Sequence, residues 1–161
     1  MAYASNTSVS VERTEAEIKA TIKKYGATSF ASFESGASAM IAFEMAGRRV
    51  VFKLPLPDPK SSAFTKTATG RVRSATEAVK SHEQACRSRW RALLLSIRAK
   101  LESVEAGIET FEDAFLAHIQ MPDGHTVSEH VKPRIASAYE TGNMQPLLPG
   151  PSAALREREW G

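Results

Sequence analysis

From Val79 to Phe115 apolar side chains return every three or four residues: Val79, Cys86, Trp90, Leu93, Ile97, Leu101, Val104, Ile108, Phe111 and Phe115. That period matches the turn of an α-helix, so one side of a long helix is apolar and must be covered. Ser74 and Glu77, three apart just ahead of the run, form a capping-box pattern that starts it. Roughly forty residues at 1.5 Å each would make a rod of about 60 Å, longer than a small domain is wide. The run therefore predicts a bend near Gly107, or an oligomer that covers the projecting end.

The segment before it has a different period. Thr28 to Glu34, Ser38 to Met45 and Arg49 to Leu54 read as strands: Ile41, Phe43 and Met45 alternate with Ala42 and Glu44, and Val50, Phe52 and Leu54 with Val51 and Lys53. Short Gly-containing connections at Ser35-Gly36-Ala37 and Ala46-Gly47-Arg48 make them an antiparallel meander. Pro55, Pro57 and Pro59 end the third strand, because proline cannot donate to a ladder. A short helix over residues 15 to 25 precedes the strands, started by Thr14 and Glu17 and stopped at Gly26.

Residues 55 to 73 have no period and read as an exposed, mobile basic loop. Beyond the long helix, Pro122-Asp123-Gly124 is a turn, Thr126 and Glu129 cap a short helix, Pro133 opens another, and Gly142 stops it. The expected fold is α+β. One domain spans residues 1 to 144, and an extended or flexible tail occupies residues 145 to 161. A chain of 161 residues is large enough to bury such a core without metal or disulfide support. A single cysteine, Cys86, allows no intrachain disulfide, and no run of apolar residues is long enough to span a membrane. Both features suit a cytoplasmic protein.

Charge is segregated along the chain. Between Arg48 and Lys100 stand thirteen basic residues against three acidic ones; between Leu101 and Val131 stand seven acidic residues and no Lys or Arg. A local surplus of cations is the footprint of a phosphate-bearing partner. At 100° per residue, Lys80, Arg87, Arg91 and Arg98 fall within about 20° of one line on the long helix. With Lys66, Arg71 and Arg73 from the preceding loop they are the candidate ligand-binding set. Phe64, alone in that loop, is either an exposed ring for a base to stack on or an anchor for the loop. Glu102, Glu105, Glu109 and Glu112 continue the polar face with opposite sign, so two such helices packed antiparallel would be complementary in charge.

Signatures of chemistry are sparse. The sequence has no Walker loop, no GxSxG, no GxGxxG and no HExxH, and no catalytic residue is assigned. Cys86 lies on the apolar stripe one turn after His82 and reads as a small buried hydrophobe. His118, His125 and His130 lie near Asp123 and Glu129, but a five-residue gap between His125 and His130 does not share a helix face. No metal or cofactor is expected.

The runs GRRVVFKLPLPD (Gly47 to Asp58), FTKTATGRVRSA (Phe64 to Ala75), EQACRSRWRALLLSIRAKLESVEAGIETFEDAFLAHI (Glu83 to Ile119) and AYETGNMQPLLP (Ala138 to Pro149) resemble a family of small, uncharacterised bacteriophage and prophage proteins. The resemblance implies a phage accessory protein in the host cytoplasm and carries no functional residues with it. The leading expectation is a non-enzymatic homo-oligomer, assembled through the long helix, that binds DNA or RNA. Two alternatives stand beside it: a counter-defence sponge for a small signalling nucleotide, and an inhibitor or adaptor of a host protein.

Overall fold

Ser10 caps the first helix, its hydroxyl accepting from the Arg13 amide, and α1 runs Val11–Lys24. Thr14, expected as the cap, is instead fully buried one turn inside. Val11 extends the apolar line of Thr14, Ile18 and Ile22 backward and packs against the core, which moves the start a turn earlier.

The computed structural model describes residues 3 to 150, which divide into two units after Phe115. In the first unit the meander forms as β1 (Ser29–Ser35), β2 (Ser38–Met45) and β3 (Arg48–Pro55), antiparallel in the order β1-β2-β3. Ala46 and Gly47, with φ of 52° and 71°, supply the two positive values that a tight hairpin between β2 and β3 requires. The register sets Ile41 opposite Phe52 and Phe43 opposite Val50, so one sheet face is continuous apolar surface. Val51, expected on the polar face, is also buried.

A one-turn helix α2 (Ser62–Thr65) follows, and then α3 (Ala75–Glu105). The Ser74 and Glu77 capping box is complete in both directions. Trp90, Leu93, Leu94, Ile97 and Leu101 are buried in one cluster with Ile18, Ile22, Ile41, Phe43 and Phe52. The expected bend is a termination. Ala106 closes α3, Gly107 turns left-handed at φ 73°, and the chain restarts as α4 (Phe111–Phe115). This return carries Phe115 into the core, edge-on to Phe43 at 5.9 Å and to Phe52 at 6.2 Å, with Phe111 stacked on it at 4.8 Å.

In the second unit a 3-10 turn, Leu116–His118, leads through the Pro122 to Gly124 turn into α5 (Val127–Thr141). Thr126 and Glu129 form the expected capping box, and Gly142, at φ 72°, the expected stop. Pro133 opens no second helix. It sits inside α5, where its ring nitrogen has no proton for the Glu129 carbonyl, and the helix continues past it. The expected tail is exposed over residues 145 to 150, and its remainder, 151 to 161, lies outside the described residues. Among the described residues no helix is long and apolar enough to cross a membrane.

Candidate phosphate-binding surface

The segment before α3 is a formed hairpin. Lys66 and Val72 make an isolated antiparallel bridge; the Thr67 amide bonds the Arg71 carbonyl and the Arg73 amide the Thr65 carbonyl, both at 2.8 Å. Gly70, at φ 85°, makes the reversal, and the Thr67 hydroxyl accepts from the Arg71 amide at 3.1 Å. Phe64 anchors it. The ring is 8% exposed and meets His82 edge-on at 5.4 Å, so it is an anchor and offers no face to a base. Arg73 is the second anchor: its guanidinium donates to Ser81 Oγ at 2.8 Å and toward the Phe64 carbonyl at 3.4 Å.

The helical stripe separates into spent and open cations. Arg91, its side chain 16% exposed, donates to Glu17 on α1 at 3.0 Å, and Arg98 reaches the same Glu17 oxygen at 3.5 Å. Arg87 donates to the Thr7 carbonyl at 3.3 Å and to Gln84 Oε1, tying the N-terminal segment to α3. Arg73, Arg87 and Arg91 thus hold elements together, while Arg98 is half exposed. Lys66, Arg71 and Lys80 are exposed. Other basic residues are also engaged: Arg48 with Glu112 at 2.7 Å, Arg49 with Glu44 at 2.8 Å, and Lys100 with the Ala114 carbonyl at 2.7 Å.

Arg71, Arg73 and Lys80 gather about the first turns of α3. The Glu77 carboxyl lies below its ordinary pKa, first because the Ser74 amide bonds it, then the Ser74 hydroxyl, with the charges of Arg71 and Arg73 adding to the effect. The exposed cations here also face the positive end of a helix of 31 residues. Lys66 stands on the hairpin opposite Val72.

The expected acidic helix face is interrupted, because Glu109 and Glu112 lie beyond the end of α3. Glu109 accepts from Ser103 at 2.6 Å. Glu105 takes the Tyr25 hydroxyl, and that hydrogen bond, ahead of burial, holds the phenol above its ordinary pKa. Tyr25 also lines a groove of about 570 Å³ between α1 and α3, with Lys24, Leu95, Arg98 and Glu102. The sequence reading missed this groove and the bridging role of Glu17. Glu17 carried a signal only for capping; which way its carboxylate faces depends on how α1 packs on α3.

The histidine chemistry is structural. His82 Nε2 lies 2.8 Å from the Pro57 carbonyl oxygen and 3.7 Å from Cys86 Sγ. A carbonyl only accepts, so Nε2 carries the proton in that bond and has no lone pair for the thiol. Cys86, expected to be buried, is only half-buried and lies outside the core, and that partial burial, the largest cause, pushes its pKa up. In the second unit His130 Nε2 meets Asp123 Oδ2 at 2.7 Å, and the His125 ring stacks on His130 at 5.5 Å. Asp123 lies below its ordinary pKa, first through the His125 amide and then through the nearby imidazoles. Among the described residues no group of three or more His, Cys, Asp or Glu is placed to hold a metal ion.

No protein-family model, curated protein or solved structure matches the chain.

Proposed function

We propose that the protein is a non-enzymatic binder of phosphate-bearing polymers, DNA or RNA, acting as a phage accessory protein in the host cytoplasm. The observation that carries this reading is the ordered hairpin before α3. Phe64 and Arg73 lock it, and Lys66, Arg71 and Lys80 stand exposed on it and on the first turns of the helix. Cations on a preformed scaffold lose little freedom on binding, and guanidinium suits the fork of phosphate oxygens. The contacts would go to the backbone of the nucleic acid, so sequence preference would be slight.

Fluorescence anisotropy on a short labelled duplex tests it. Three neutralised phosphates give a slope of log affinity against log salt of about −2.7, a loss of about forty-fold between roughly 50 and 200 mM salt. Replacing Lys66, Arg71 and Lys80 by alanine together should flatten the slope. Salt-insensitive binding, or a slope unchanged in the triple variant, refutes the reading.

The α1 and α3 groove supports a second reading, a site for a small nucleotide. Lys24 and Arg98 would take phosphate, and Tyr25 and Leu95 would pack against the base. Arg98→Ala would then release a small nucleotide from the purified protein without altering polymer binding.

A further inference from the structure

We infer that the segment before α1, residues 3 to 9, is an autoinhibitory strap: its main chain occupies Arg87, and its release opens Arg87 to a further phosphate of the bound polymer. The inference rests on the nucleic-acid reading above and extends that surface by one cation along α3.

Side chains of α3 hold the strap by its carbonyl groups. Gln84 Nε2 donates to the Ser5 carbonyl at 3.0 Å and to the Thr7 carbonyl at 2.9 Å. The Ser88 hydroxyl donates to the Tyr3 carbonyl at 3.2 Å, and Arg87 Nε to the Thr7 carbonyl at 3.3 Å. None of residues 3 to 9 is buried, so no side chain of the strap is sunk in the core to fasten it. Ala4 holds φ at 54°, a left-handed value that a Cβ disfavours, and this strain is relieved when the strap leaves. A cleft of about 420 Å³, lined by Tyr3 and Ser5 together with Phe64, Ser81 and Arg89, separates part of the strap from the helix. Phe64 and Ser81 also anchor the cationic hairpin, so the strap adjoins the candidate surface.

The acceptors decide which arginine can be released. Arg91 and Arg98 meet the Glu17 carboxylate, so a phosphate there would have to displace one anion with another. Arg87 meets two uncharged acceptors, the Thr7 carbonyl and the Gln84 amide oxygen. A phosphate oxygen in their place makes a charge-assisted bond, about twice as strong as a neutral one, and strands no carboxylate. The strap carries no charged residue, and from Lys80 to Arg91 four cations stand against one acid, Glu83, one turn before Arg87. Arg87 lies on the Lys80 line of α3, about 10 Å further along, the span of about three phosphates on one strand.

Fluorescence anisotropy on the labelled duplex, with circular dichroism to confirm folding of each variant, reads the release. Gln84→Ala with Ser88→Ala removes three of the four bonds to the strap and keeps Arg87. A chain beginning at Ser10 removes the strap outright, and it retains the α1 cap and every residue of the core cluster. Both should bind tighter than the wild type, with a slope of about −3.6 in place of −2.7, a loss of about 150-fold between roughly 50 and 200 mM salt. Adding Arg87→Ala to either should return the slope to about −2.7, whereas Arg87→Ala alone should leave it as in the wild type. Unchanged affinity and slope in the chain beginning at Ser10 overturn the inference, and so does a gain that survives Arg87→Ala. If the shortened chain fails to fold, the double variant decides alone. A wild-type slope that flattens when Lys66, Arg71 and Lys80 are replaced upholds the nucleic-acid reading even where the strap has no effect; no salt-dependent binding by any of these proteins refutes both.

Discussion

Replacing Arg91 by alanine separates a structural arginine stripe from a ligand-binding one. Arg91 donates to Glu17 at 3.0 Å across the α1 and α3 packing, with its side chain 16% exposed and that of Glu17 29%. Two charges so placed are screened less than a surface pair, and a charge-assisted hydrogen bond contributes about 1.5–3 kcal/mol. Glu17 keeps two further cations, Arg98 at 3.5 Å and Arg13 at 3.6 Å, so it is not left bare when Arg91 is removed. The expected cost of Arg91→Ala is therefore near the lower end, about 1.5–2 kcal/mol, or a fall in melting temperature of about 3–8 °C. Arg98→Ala, at a longer and half-exposed contact, should cost less than about 0.5 kcal/mol. Urea denaturation of the two single variants, of Glu17→Gln and of the double Glu17→Gln with Arg91→Ala measures the coupling directly. The same proteins titrated with labelled duplex provide the second readout. Arg91→Ala should leave affinity and salt slope unchanged where the protein is folded. If it instead leaves stability unchanged and flattens the salt slope, Arg91 contacts phosphate and the division into spent and open cations is wrong.

Three further outcomes follow from the core and the caps. Phe115→Ala removes a ring that contacts Phe43, Phe52 and Phe111 at once, and should cost about 3–5 kcal/mol, measured by chemical denaturation. Ser74→Ala should cost about 1 kcal/mol through loss of the α3 cap. In the same variant the Glu77 carboxyl, titrated by NMR, should move up toward its ordinary range, because the Ser74 hydroxyl that helps hold it low is gone. The sign follows from that depressed value: the stabilisation the carboxylate gives the cap is present above the ordinary glutamate range and is lost as pH falls through the folded value. Cys86 should react slowly with thiol reagents at neutral pH, its thiolate disfavoured by burial, and His82→Ala should not slow it further. A marked rate loss on removing His82 would restore the dyad that the Pro57 bond argues against.

The sheet and the long helix were legible because their information is local. Alternation in Ile41, Phe43 and Met45, glycine at the turns, and the three-to-four spacing from Trp90 to Leu101 each specify an element within a few residues. Where the reading differed, a contact from outside the local window decided. The sequence placed a bend or a joint near Gly107 but not a reversal, because Ile108, Phe111 and Phe115 keep the helical spacing beyond it. Gly107 adopts a left-handed conformation that ends α3 there, and the ring of Phe115 returns to Phe43 and Phe52. Pro133 fitted a helix start by local rule, whereas in the fold α5 gives up one hydrogen bond and runs on.

The candidate site was legible as a quantity of charge but not as an assignment of charges. A stripe of Lys80, Arg87, Arg91 and Arg98 follows from helix geometry alone, and the helix does present it as one line. What it faces is set by α1, whose Glu17 holds Arg91 and leaves Arg98 half exposed, and by the N-terminal segment, whose Thr7 carbonyl receives Arg87. A long arginine side chain satisfied by a carbonyl or carboxylate of its own chain has little left for a phosphate, since the new contact must first replace the old one. The candidate surface therefore contracts from a rod along α3 to the hairpin end of it. A nucleic-acid backbone held there would be gripped by a few residues over one or two helical turns, and the protein would bind weakly as a single chain.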